Sequence, residues 1–178
     1  MPAYHQEVYN MTQLKPLDYR LLCELMKNAK RSDRELARFL GVSQPTVTRK
    51  RAMLEKSFLE GYTAIPKWGD VGFEVVAFNL MKTRTMQSGV KGKEESIKKA
   101  RKWFMKEPNV VLSVAGEGLG WDGICVSFHK SYSDFADFKR RSQIELAEIL
   151  ADCQSFIADI NPGIILKPFH LKYLSEVE

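Results

Sequence analysis

Cysteine is scarce. Cys23, Cys125 and Cys153 are the only three in 178 residues, odd in number, widely spaced and without a Cys-x-x-Cys pair, which excludes a disulfide framework and a cysteine zinc site. They are expected to be reduced, packed thiols. Histidine is equally sparse: His5, His129 and His170 stand apart without His-x-x-His spacing, so no metal and no cofactor is expected. His129, at the end of a predicted strand, reads as a surface residue. Apolar runs such as VVAFNLM fall far short of the roughly 20 residues that cross a bilayer. With no start resembling a signal peptide, the chain is expected in the cytoplasm and off the membrane. Repeats and low-complexity segments are lacking. GEGLG has no following Lys-Ser/Thr to make a phosphate loop, and no serine sits in a nucleophile-elbow context, so nothing in the sequence demands catalysis.

What is present begins with enough apolar residues, 44%, to bury real cores in one ordinary domain or two small ones. The net charge is +5, and its placement is informative. Residues 1–67 hold 12 Lys and Arg against 7 Asp and Glu, whereas the rest of the chain is balanced. Within that balanced part, Lys82 to Lys106 carries nine cations against Glu94 and Glu95. A basic N-terminal module suits a polyanionic partner.

Residues 1–13 lack periodicity and read as a loose arm. From Leu17 the pattern is helical, with Leu17, Leu21, Leu25 and Ala29 on one stripe. Ser32 and Glu35 form a capping box that starts a second helix, ended at Leu40 by Gly41 in a left-handed conformation. Ser43 caps a third helix from about Gln44 to Lys56, in whose first turn Pro45 is tolerated. Ala37 four residues before Gly41, and Val47 six after it, make a helix-turn-helix signature: a close crossing, a tight turn and an anchor for the third helix. On a helical wheel Leu54 returns to the side of Val47, while Pro45, Arg49, Ala52 and Lys56 point away. Gln44, Thr46, Thr48 and Arg49 then offer the donors and acceptors that read base edges in a major groove, and Lys50 and Arg51 can meet phosphates. The bland alternative is that TRKR is a solvated face.

After GYTAIPKWGDVG the period changes from 3.6 to 2. FEVVAFNLM reads as a strand, KEESIKKARKWFMKE as a helix with Ile97, Ala100 and Phe104 inward, and NVVLSVAG and GICVSFH as strands. YSDFADFKRRSQIELAEILADC reads as a helix with Phe135, Phe138 and Leu146 along its apolar side, and GIILKPFHLKYL as a closing strand. This β-α-β-β-α-β order is that of a ferredoxin-like sandwich. The domain expectation is therefore α+β: a winged helix-turn-helix over 1–66, a hinge over 67–72 and a ferredoxin-like domain over 73–178. The sheet's second apolar face requires a cover, which a second copy of the chain supplies.

From LDYRLLCELMKNAKRSDRELARFLGVSQPTVTRKRAMLEKSFLEGYTAI onward, about Leu14 to Leu174, the chain resembles the leucine-responsive regulator/AsnC (Lrp/AsnC) transcription factors. The resemblance implies a winged helix-turn-helix on double-stranded DNA, with Ser43, Gln44, Thr46, Thr48, Arg49 and Lys50 as its contact residues. It also implies a homodimer formed through the sheet, assembling further to tetramers or octamers, and an amino acid or other small effector between dimers. Arg51 stands where the family usually has an inward aliphatic residue, so its stem is expected to snorkel. The family's effector turn corresponds to Gly116, Glu117, Trp121 and Asp122, with GLG inserted, and makes Gly116, Trp121 and Asp122 the candidate effector site. Two alternatives stay open. Siroheme decarboxylases resemble the same two-domain fold, and the basic 82–106 segment would suit a low-specificity architectural DNA binder.

Overall fold

The computed structural model describes residues 14–84, 89–160 and 163–176, with side chains apart from those of 89–93 and 176. The arm expected over 1–13 lies outside them. The chain divides into two compact units: one takes in everything up to Ile65 together with the segment from Pro168 onward, and the other is Pro66–Lys167.

The first unit contains α1 (Pro16–Lys27), α2 (Asp33–Leu40) and α3 (Gln44–Ser57). Each boundary has its local cause. Ser32 Oγ accepts from Glu35 N, and Glu35 Oε2 accepts from Ser32 N at 2.8 Å, so the capping box is complete. Gly41 has φ of 71°, a left-handed conformation that a side chain resists and that lets the chain reverse within two residues. Leu21, Leu25, Leu36, Ala37, Leu40, Val47 and Leu54 form one buried cluster in which Val47 is 1% exposed, so the alanine, the glycine and the valine of the signature do what their spacing requires. Residues 59–67 continue without helix or strand. The segment from Pro168 ends in a 3-10 turn, Leu171–Glu176, packed against α1.

The second unit is a four-stranded antiparallel sheet in the order β2-β3-β1-β4, with β1 (Val75–Thr83), β2 (Val110–Gly118), β3 (Trp121–His129) and β4 (Leu150–Asp159). Helices α4 (Gly89–Phe104) and α5 (Tyr132–Glu145) complete it. Period-2 burial in β1 and β3 turns Ala77, Met81 and Cys125 towards Trp103, Phe135, Phe138 and Leu146, which form the core. The opposite face carries Phe78, Leu112, Val114, Ile124 and Phe156, all more than 40% exposed. Gly123 has no room for a side chain: a Cβ there would stand 2.9 Å from the Val114 carbonyl oxygen.

Several expectations are corrected here. The helix predicted through Cys153 ends at Glu145, and the sheet's last strand is Leu150–Asp159 instead of GIILKPFHLKYL. Leu146, Ile149, Leu150 and Cys153 keep helical spacing, but the free edge of β1 pairs with this segment from Val75↔Asp159 onward. The GIILKPFHLKYL stretch contains Pro168, which cannot donate to a ladder, and its described residues form turns. Trp103 faces the core where Ile97 was expected, since Ile97 is 45% exposed. The 67–72 segment includes a 3-10 turn, Trp68–Val71, whose Trp68 ring stacks on Phe128 with centroids 4.3 Å apart. His129 is fully buried, not at the surface.

Candidate nucleic-acid interface

Ser43 caps α3, its Oγ lying 2.8 Å from Thr46 Oγ1 and accepting from Thr46 N. Helix α3 is then tied to the other two helices by polar contacts on its flanks. Lys50 Nζ pairs with Asp18 on α1, and the two side chains are 18% and 6% exposed. Arg51 donates to the Arg31 carbonyl at 2.7 Å and sits 3.1 Å from Asp33 Oδ1 on α2. Thr48 Oγ1 donates to Asp33 Oδ2 at 2.6 Å. Arg31 in turn pairs with Glu24 and lies over the Phe39 ring.

These contacts sort the sequence candidates. Gln44, Thr48 and Arg49 are exposed and Thr46 half-buried along the outward side, with Pro45, Ala52 and Lys56. The side chains of Gln44 and Arg49 have no hydrogen-bond or ion-pair partner among the described residues. Lys50 is different. Its ammonium is held against a buried carboxylate and turns away from the outward face, so as a phosphate contact it would first have to break that pair. Arg51 is half-buried, with its guanidinium held by the Arg31 carbonyl and Asp33 and its Nε buried. Asp18 and Asp33, which hold these two cations, were missed by sequence reasoning; Asp18 is separated from Lys50 by 32 positions, and no local spacing announces that pair.

The GEGLGWDG turn is a hairpin between β2 and β3, closed by Gly118 opposite Trp121, with Leu119 at φ 52° and Gly120 at φ 78°. Two successive left-handed residues match the twist of a two-residue hairpin turn. Asp122 Oδ2 accepts from Thr83 N and Thr83 Oγ1, both at 2.7 Å, and its Oδ1 is 3.8 Å from Lys82 Nζ. Lys82 also donates to the Gly120 carbonyl at 2.6 Å. The carboxylate thus fastens the turn to the end of β1, with Gly116 exposed and Trp121 half-buried beside it.

Behind the sheet a polar chain runs through the core. His129 Nε2 is 2.9 Å from Ser127 Oγ, Asn79 Nδ2 donates to Ser127 Oγ at 3.0 Å, and Ser155 Oγ donates to Asn79 Oδ1 at 2.8 Å. Asn109 Nδ2 lies 3.4 Å from His129 Nδ1 and donates to Asp134 Oδ2 at 3.2 Å. Burial holds the His129 imidazole below its ordinary pKa, Asp134 opposing and Arg141 reinforcing the shift. Burial pushes the Cys125 thiol up to about 12, making it inert as a nucleophile. Among the described residues no group of three His, Cys, Asp or Glu could hold a metal ion, and no helix is long and apolar enough to cross a membrane.

A winged helix-turn-helix DNA-binding family model matches residues 14–57. The HTH-type transcriptional regulator Ptr1 of Methanocaldococcus jannaschii is 30% identical over 126 residues, covering 70% of this chain and 78% of that protein. An AsnC family transcriptional regulator from Agrobacterium tumefaciens superimposes with a TM-score of 0.70 at 20% identity, over 90% of this chain and 99% of that one. A transcriptional regulator from Neisseria meningitidis, crystallised as a complex with L-methionine, gives 0.70 at 20% identity over 82% and 89%. AsnC of Escherichia coli gives 0.64 at 18% identity over 88% and 97%. At such identities the solved structures speak to the fold.

Proposed function

Because the chain belongs to the Lrp/AsnC family of DNA-binding transcription regulators, we propose that it reads its operator with the outward face of α3. The family membership favours regulation over the decarboxylase and architectural alternatives. The observation that carries the reading is the division of labour along α3. Lys50, Arg51 and Thr48 brace the helix against Asp18 and Asp33, while Gln44 and Arg49 remain unengaged on the exposed side. Thr46, beside the Ser43 cap, sits at the end of the helix that enters a groove first. Arg49 suits bidentate recognition of guanine and Gln44 of adenine. Thr48, whose hydroxyl proton is donated to Asp33, keeps its lone pairs to accept from a base amino group.

The assembly proposed is a homodimer, able to build tetramers or octamers, formed through the open face of the sheet. Phe78, Leu112, Val114, Ile124 and Phe156 make an apolar patch that a second copy covers by two-fold symmetry. Such a dimer presents two α3 helices to half-sites one helical turn, or a multiple, apart. The site of action is the cytoplasm. A small effector, an amino acid by analogy with the methionine complex of the Neisseria protein, is placed at the Gly116–Trp121–Asp122 turn. There Trp121 forms a wall, and the carboxylate is already positioned by Thr83.

The reading is tested by titrating duplex DNA from the protein's own promoter at several salt concentrations. Affinity should fall with a log–log slope of about −0.9 per phosphate neutralised. No complex at low salt would end the proposal. For the effector, calorimetry with the twenty amino acids should show binding that disappears in Asp122→Ala; undiminished binding in that variant would move the site elsewhere.

A further inference from the structure

Helix α1 is apolar on two sides. Leu21 and Leu25, 0% and 4% exposed, face α2 and α3. On the wheel Tyr19, Leu22, Cys23 and Met26 lie between roughly 100° and 200° away from Leu21, the side a three-helix unit leaves to solvent. Leu22 reaches the three-helix core, but Cys23 and Met26 are half-buried without being part of it. Among the described residues, the 3-10 turn Leu171–Glu176 packs on α1 in addition to α2 and α3. That turn has internal order of its own. Lys172 N donates to His170 Nδ1 at 2.9 Å, Ser175 Oγ donates to the Lys172 carbonyl at 2.6 Å, and the Lys172 ammonium lies 5.3 Å from the centre of the Tyr173 ring.

We propose that residues 168–176 are a working part of the DNA-binding unit: the second apolar face of α1 is the docking surface for the chain's own C-terminal segment. The sheet unit, Pro66–Lys167, is then an insertion within the helical unit, and the chain enters it after Ile65 and leaves it before Pro168. Two covalent links, one at each end of the sheet unit, restrain the helix-turn-helix. A change in assembly or ligation of the sheet unit acts on it through both. The functional consequence rests on the DNA-binding reading; the docking does not.

Hydrogen exchange, followed by mass spectrometry on the full chain, separates the two. In a chain ended at Lys167, the amides from Leu21 to Lys27 should exchange roughly tenfold faster or more, while those of β1 and β3 keep their protection. DNA affinity should fall in the same chain. Unchanged exchange in α1 would overturn the proposal. Should the shortened chain lose protection in the sheet as well, the full-length double variant Leu171→Ser, Tyr173→Ser carries the test: faster exchange confined to α1 supports docking, and none refutes it. Failure of the wild type to bind DNA would count against the regulator's reading helix and leave the exchange result standing.

Discussion

Lys50 and Arg49 are neighbours in sequence with opposite assignments. Removing the Lys50 side chain leaves Asp18, 6% exposed, without its counter-charge, so Lys50→Ala should cost about 3 kcal/mol of stability in the helical unit. Arg49→Ala should leave the melting temperature within error, because an exposed side chain without partners contributes little to folding. Paired thermal melts check both. A stable Lys50→Ala would mean the ion pair is not maintained in solution. His129 gives a pH dependence with a defined sign. Its folded pKa lies below the 6.5 of the free side chain, so the unfolded chain binds the proton more readily. Stability of the sheet unit is therefore full above about pH 6.5 and declines as pH drops below it, with a slope of at most about 1.4 kcal/mol per unit for one proton. In His129→Asn that decline should flatten, measured by denaturant titration at pH 7.5 and 5.5. These assignments were not legible in the sequence. The local run TRKR shows four polar residues in a row, but which of them are occupied depends on Asp18 and Asp33, carboxylates brought in from other helices.

Elements announced by their caps were legible. Ser32 with Glu35, Gly41, and Ser43 with Pro45 mark the ends of α2 and α3 by local chemistry, so those boundaries follow from residues within four positions. Helix α2 has only eight residues, too few to persist without help. Ser32→Ala should remove about 1 kcal/mol, seen as a lower melting temperature with little change in the sheet unit's circular dichroism; no loss would mean that packing of Leu36 and Leu40 alone holds the helix. The chain after α5 was illegible for the converse reason. Leu146, Ile149, Leu150 and Cys153 satisfy a helical period, and only the unpaired edge of β1 decides for a strand. The closing segment defeated the sequence differently: Ile164, Ile165, Leu166, Phe169, Leu171 and Leu174 stay exposed, and the turn Leu171–Glu176 packs on α1, some 150 positions earlier, and forms no strand of the sheet.

At the scale of the whole molecule, the open sheet face is where the proposed dimer would form. A monomer would expose Phe78, Phe156, Ile124, Leu112 and Val114 together, an apolar area that soluble monomers avoid. Phe156, 66% exposed, should tolerate Glu as a monomer and reject it in a dimer. Light scattering at micromolar concentration should show wild type as a dimer or larger and Phe156→Glu with half the mass; equal masses would place the interface elsewhere. The variant should also lose DNA affinity, since one recognition helix no longer arrives with the other. Whether α3 reads sequence is decided by selecting bound duplexes from a randomised library with wild type and with Arg49→Ala. Wild type should enrich a two-fold symmetric motif, and the variant should lose preference at one or two symmetry-related positions, with about 1–3 kcal/mol less discrimination there. The same motif at the same strength from both proteins would contradict the claim.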